Sequence, residues 1–226
     1  MADLPQIAPL GEHFSYNNAA VNAAGRIVEV ITGQPYETAV RELVLAPLGM
    51  DRSTFFAEEA ITEATVVGHV EADGEPTIAR PWGIPRASYP AGGVVSSVRE
   101  MLRYARFHLG DGTTANGERL LAPETMRAMQ SPCCPANLGR RMGLSWILKD
   151  MAGEPAVMHG GATNGQLSAF IMFPNRGFAL TVLTNADEGA MLHDEVVKWA
   201  TGHYLGLVEP ETTPLTVDAA ALNEYL

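Results

Sequence analysis

The chain has 226 residues, 46% apolar and 18% charged, a composition that supports a packed core and argues against disorder, collagen and coiled coil. No run approaches the roughly eighteen apolar residues of a membrane-spanning helix, so no membrane span is expected. With 15 Lys+Arg against 26 Asp+Glu the net charge is −11, which speaks against nucleic acid or an anionic membrane as the main partner. In chain order, Val21, Ala24, Val28 and Ile31 fall at helical spacing, with Asn18 in the capping position and Gly33 as the stop. Pro35 opens a second helix that runs to about Leu45 and is closed by Ala46-Pro47-Leu48-Gly49-Met50, giving a helical hairpin. Residues 57–95 read as irregular and rich in Gly and Pro, with short β-like pieces such as Thr65-Val66-Val67. Ser97-x-x-Glu100 forms a capping box ahead of Met101, Leu102, Ala105 and Leu109, and Gly110 ends that helix. Pro123 begins a short fourth helix.

From Gly143 onward the period becomes that of β-strands, at 144–148, 156–159, 166–173 and 178–184, with Pro174-Asn175-Arg176-Gly177 as a hairpin turn. A closing amphipathic helix spans 188–205 and offers Met191, Val196, Trp199 and Tyr204 for burial. Helices first, then a strand meander and a terminal helix, imply an α/β protein of the α+β kind: an antiparallel sheet flanked by helices, plus a helical region. Residues 1–142 are the helical region and 143–208 the sheet and C-terminal helix, together one domain, followed by an acidic tail at 209–226. Cys133 and Cys134 are adjacent, awkward for mutual bridging and too few for a zinc site, so they read as free thiols. His13, His69, His108, His193 and His203 lack metal-ligand spacing and read as surface or helix-face residues. No metal and no organic cofactor is implied. The N-terminus lacks the basic and apolar segments of a signal peptide, which favours the cytoplasm, although a processed chain would read the same.

Two short constellations offer chemistry. Tyr16-x-Asn18 sets a phenol and an amide at the mouth of a helix, where the positive end of the dipole favours the phenolate of a general base. The alternative is a packing aromatic beside a helix cap. His159-Gly160-Gly161-Ala162 ends a strand, and its glycines let a ligand approach backbone amides that can stabilise an oxyanion. The alternative there is a plain strand-end turn with a surface histidine. Neither glycine pair, Gly92-Gly93 or Gly160-Gly161, fits a dinucleotide or Walker pattern.

Taken together, Tyr16-x-Asn18, Ala-Gly-Arg-Ile-Val-Glu-Val-Ile-Thr-Gly, Pro-Leu-Gly-Met, Ala-Gly-Gly-Val-Val-Ser-Ser and His-Gly-Gly resemble, in order, the serine β-lactamase-like family. The similarity is to its class C branch, with D-alanyl-D-alanine carboxypeptidases, D-aminopeptidases and family VIII esterases. It runs from about Pro9 to Leu207. The resemblance implies the β-lactamase/transpeptidase-like fold and three motifs in one cleft: S-x-x-K, Y-x-N, and K-T-G or its H-x-G variant. It makes Tyr16 the proton shuttle and Asn18 the contact to the acyl side chain. His159 becomes the group facing the substrate carboxylate or the tyrosine, and the Ala162 N–H, at the end of Gly160-Gly161-Ala162, one of two oxyanion donors. Ser15-x-Asn17 offers a second frame, but the helix that follows favours Tyr16 and Asn18.

S-x-x-K is absent. Lys149 and Lys198 are the only lysines, and three residues before them stand Trp146 and Glu195. With Tyr16 only fifteen residues from the start, the expectation is a C-terminal portion of a longer serine hydrolase, its fold incomplete at the N-terminus. Such a chain alone should be inactive on a peptide, ester or other small-molecule substrate unless a complementary N-terminal segment or a swapped protomer supplies the nucleophile. A second reading is a non-catalytic binding or interaction module. Ser15 or Ser168 as nucleophile is a third, weaker one, since neither has a suitably spaced lysine or a strained G-x-S-x-G turn.

Overall fold

The computed structural model describes residues 14–135 and 140–210 together with Pro5, Pro9, Gly11 and Glu12; His13 and the acidic tail beyond residue 210 lie outside these described residues. The first half is helical: α1 (Asn18–Thr32), α2 (Tyr36–Val40) running into a π-helical turn (Arg41–Leu45), and α3 (Ala57–Ala60). A hairpin of β1 (His69–Ala72) and β2 (Glu75–Ile78) follows, then α4 (Tyr89–Gly92), α5 (Val98–Leu109) and α6 (Pro123–Met129). The sheet is built from β3 (Cys134–Pro135), β4 (Arg141–Met142), β5 (Ile147–Met151), β6 (Glu154–Thr163), β7 (Gln166–Phe173) and β8 (Phe178–Thr184). Its strands lie in sequence order and every neighbouring pair is antiparallel. α7 (Gly189–Ala200), extended by a second π-helical turn (Thr201–Leu205), closes the described chain. No described helix is long and apolar enough to cross a membrane.

The sheet is a middle layer. On β7, Phe170 and Met172 pack with Ala105 of α5, Trp146, Leu148 and Val157, whereas the alternate residues Ile171 and Phe173 pack with Val197 of α7, Met151 and Ala156. Because successive strand side chains point to opposite faces, a strand buried on both faces becomes a continuous apolar run, as Leu167 to Phe173 nearly is. Met101 and Tyr104 of α5 also pack on a second cluster of Leu45, Met50 and Phe55, so α5 touches both the sheet and the helical region. Among the described residues β8 pairs only with β7, although α5 and α7 both contact it.

Several local expectations are corrected. Asn17, not Asn18, caps α1: its backbone is extended and its Oδ1 accepts from the Ala19 N–H at 2.9 Å. The anticipated apolar stripe of α1 is largely in solvent, with Ile31 78% exposed; what is buried is Gly25. The β pieces of 57–95 lie at β1 and β2 rather than at Thr65-Val66-Val67, and the Asp73-Gly74 turn, with φ of 54° and 82°, is the Asp-Gly hairpin signal the sequence already contained. Ser97 accepts from the Glu100 N–H, but the Glu100 carboxylate turns inward to the Arg52 N–H and the Ser53 hydroxyl, so only half the capping box forms. The six-stranded sheet starts at Cys134, before Gly143, and the strand expected at 144–148 sits at 147–151. On α7 it is His193, Val197 and Ala200 that face inward, while Met191, Trp199 and Tyr204 stay exposed, because the sheet meets the neighbouring stripe of the helix. His108 and His193 lie on the inward faces of α5 and α7 and are buried.

Two predictions follow from this packing. A Cβ on Gly25 would lie 2.2 Å from Pro90 Cγ, so α1 can approach α4 closely only with glycine there. Gly25→Ala should therefore lower stability by about 1–3 kcal/mol in urea unfolding; a gain of about 1 kcal/mol, as at an open helix site, would contradict the contact. His108 lies against Tyr104 at 4.5 Å and Trp146 at 5.2 Å between ring centroids, and burial pushes its pKa down to about 4. The folded chain thus refuses a proton that the unfolded chain takes up below its ordinary value, so stability falls as pH drops from about 6.5 to about 4, by about 3 kcal/mol in all. Unfolding of wild type and His108→Phe at pH 7 and pH 4.5 should show this loss reduced in the variant.

Candidate active site

Tyr16 and His159, singled out by the sequence and more than a hundred residues apart in the chain, come close together. Tyr16 directly precedes the α1 cap and is 60% exposed; its ring centroid lies 6.4 Å from that of His159, with 37° between the planes. His159 sits in β6 on the face of Val157, since residues two apart on a strand share a face. Its Nδ1 is 2.6 Å from the Gly160 carbonyl oxygen. A carbonyl only accepts, so Nδ1 carries the proton and, in the neutral ring, Nε2 is the acceptor.

β6 outruns its neighbour. Pairing with β5 ends at Met158↔Ile147, while pairing with β7 continues to Thr163↔Gln166. Residues 159–163 therefore have a free edge on the side away from β7 among the described residues. The two-residue turn Asn164-Gly165, with Gly165 at φ 63°, makes Thr163↔Gln166 the closing hydrogen-bonded pair. Antiparallel alternation then aims the N–H groups of Ala162 and Gly160 at the free edge and that of Gly161 at β7. A Cβ on Gly161 would lie 2.7 Å from Ser168 Oγ, which shares the His159 face, so a larger residue there would press on β7.

The two readings of the first motif differ in what their amides do. Asn17 Oδ1 is committed to the N–H groups of Ala19 and Ala20, whereas Asn18 is exposed in the first turn of α1. Ser15 is exposed and Ser168 half-buried; Lys149 Nζ pairs with Glu209 at 2.9 Å and Lys198 lies exposed on α7. Cys133 and Cys134 are free thiols with Sγ atoms 3.8 Å apart.

The sequence reading missed the rim of this region. Asn164 Nδ2 donates to the Pro81 carbonyl at 2.9 Å, Gln166 Nε2 to Val66 at 3.3 Å and Asn185 Nδ2 to Val67 at 3.0 Å. The His69 N–H donates to the Asn185 carbonyl at 2.9 Å. These bonds strap residues 66–69 and 81 to the β6–β7 turn and the end of β8. The faint sequence signal was Gly68, where a Cβ would lie 2.1 Å from the Asn164 carbonyl oxygen.

The fold, an antiparallel sheet between helices, is that of penicillin-binding proteins and β-lactamases. The family model described as Beta-lactamase matches residues 1–200, and the chain belongs to that family. Penicillin-binding protein 4 of Amycolatopsis lactamdurans is 31% identical over 233 residues, a match covering 98% of this chain and 61% of the relative. Among solved structures, the octameric penicillin-binding protein homologue from Pyrococcus abyssi superposes with a TM-score of 0.77 at 24% identity, covering 89% of this chain and 45% of the other. A D-stereospecific amidohydrolase from Streptomyces sp. gives a TM-score of 0.70 at 21% identity, covering 92% and 59%. The chain thus spans about half to three fifths of the length of these relatives.

The cap assignment predicts a difference between neighbouring asparagines. Asn17→Ala should cost about 1 kcal/mol of stability, while Asn18→Ala should leave stability within about 0.5 kcal/mol of wild type. Thermal unfolding of the two variants checks this, and equal losses would contradict it.

Proposed function

We propose that this chain carries the tyrosine and oxyanion part of a serine hydrolase site that acts by acyl transfer on an amide, lactam or ester, the nucleophile coming from residues outside these 226. The observation that carries the reading is the approach of Tyr16 to His159 beside outward-aimed amides on a free strand edge. The S-x-x-K serine attacks the carbonyl, and its proton passes through the lysine and Tyr16 to the leaving nitrogen or oxygen. The Ala162 N–H and the serine's own N–H hold the oxyanion, Gly160 and Gly161 leave room for the approach, and Asn18 contacts the acyl side chain. His159, through Nε2, faces the tyrosine or a substrate carboxylate. Water then attacks the acyl-enzyme, giving its proton to Tyr16 and the lysine, which pass it to the departing serine oxygen as the acid is released. The names of the relatives, a penicillin-binding protein and a D-stereospecific amidohydrolase, support an amide or lactam carbonyl.

On this reading the chain alone is inactive and is completed by an N-terminal segment or a swapped protomer. The one-sided pairing of β8 under two helices and the exposed Val21, Ile27, Val30 and Ile31 of α1 support an uncovered contact surface. The chain by itself should neither turn over nitrocefin or a nitrophenyl ester nor form a fluorophosphonate adduct. Supplied with an S-x-x-K segment of a relative, it should gain turnover that Tyr16→Phe lowers by about 10²–10⁴-fold. An adduct on Ser15 or Ser168 of the chain alone, or turnover indifferent to Tyr16→Phe, would overturn the mechanism. The absence of S-x-x-K also favours a second reading, a non-catalytic binding module. Saturable binding of a D-amino acid amide with no turnover under any complementation would select it.

A further inference from the structure

A cavity of about 430 Å³ lies beside the β6–β7 turn, within the size range of small-molecule sites. None of Tyr16, Asn18 or His159 to Ala162 lines it. Its wall is apolar: Ile61, Val67, Ile78 and Trp82 contribute, and Ile61 and Ile78 are 76% and 45% exposed. Large aliphatic side chains left in water are a cost that a ligand can remove.

Two charged side chains also border the cavity, Glu63 and Arg80, and they differ. Glu63 is already paired with Arg52. Arg80 is exposed, and among the described residues no carboxylate lies within ion-pair distance of it. In a chain of net charge −11 an arginine without a carboxylate partner, set against an apolar wall, is complementary to a carboxylate attached to an apolar body. The walls are also held in place before any ligand arrives: the Ala79 N–H donates to the Gly68 carbonyl at 2.8 Å, and Asn164 and Gln166 hold Pro81 and Val66.

We propose that this cavity is a second ligand site that takes an aromatic or branched aliphatic carboxylate, its anionic end on Arg80 and its apolar body over Ile61, Val67 and Ile78. The site belongs to this chain alone and needs neither a nucleophile nor turnover, so it stands or falls separately from the hydrolase reading.

The test is calorimetric titration of the whole chain with 4-phenylbutyrate and with its neutral isostere 4-phenylbutanamide. The acid should bind saturably and at least about tenfold more tightly than the amide. Arg80→Gln, at an exposed position where circular dichroism should stay unchanged, should bring the acid down to the affinity of the amide. Ile78→Asp should abolish binding of both, and Tyr16→Phe should change neither. No saturable heat with 4-phenylbutyrate up to about 10 mM would overturn the proposal. Equal affinity of acid and amide, or an acid affinity unmoved by Arg80→Gln, would overturn it as well.

Discussion

The ladder between β6 and β7 is the constraint on which both core and site depend. Its register runs from Val157↔Met172 to Thr163↔Gln166, and one end of it is packed while the other is open. At the packed end, Phe170 and Met172 face α5 and Ile171 and Phe173 face α7, so a slip of one residue would exchange the two clusters. At the open end the same register carries β6 past the last pair with β5 and turns the Gly160 and Ala162 amides outward. Stability and the candidate chemistry are therefore written in one strand pairing.

The other half of the site depends on how closely α1 can lie on α4. Gly25 against Pro90 sets that distance, and Asn17 sets where the helix begins. Together they place Tyr16 just ahead of the helix, within reach of the His159 ring. Of the positions that act in the proposal, Tyr16, Asn18 and Gly160 to Ala162 are exposed and His159 is half-buried, whereas the positions that hold them, Gly25 and Gly165, are buried glycines. The structural requirement is close backbone approach, which no side chain there would allow.

Much of this was legible in the sequence. The strands Gln166–Phe173 and Phe178–Thr184 emerged with their observed bounds because a strand buried on both faces and a Pro-Asn-Arg-Gly turn are strong local signals. The pairing of Tyr16 with His159 was legible only through family resemblance, since nothing local to either segment points to the other. What failed did so because tertiary contacts decided it. Ile31 and Trp199 read as buried by periodicity alone, but each helix turns a different stripe toward its neighbour. Glu100 was matched to Ser97 by spacing, yet its carboxylate serves Ser53 and Arg52 across the fold. The cavity beside Trp82 had no sequence signature at all, because its walls come from separate turns brought together by Asn164 and Gln166.

The proposed site requires Tyr16 and His159 to lie together within this chain. Nuclear Overhauser spectroscopy of the isolated chain, with both rings assigned, measures that contact. Cross-peaks between the Tyr16 and His159 ring protons, in a sample whose Phe170–Trp146 core contacts are intact, are the predicted result. Their absence from a sample with the same intact core would contradict it.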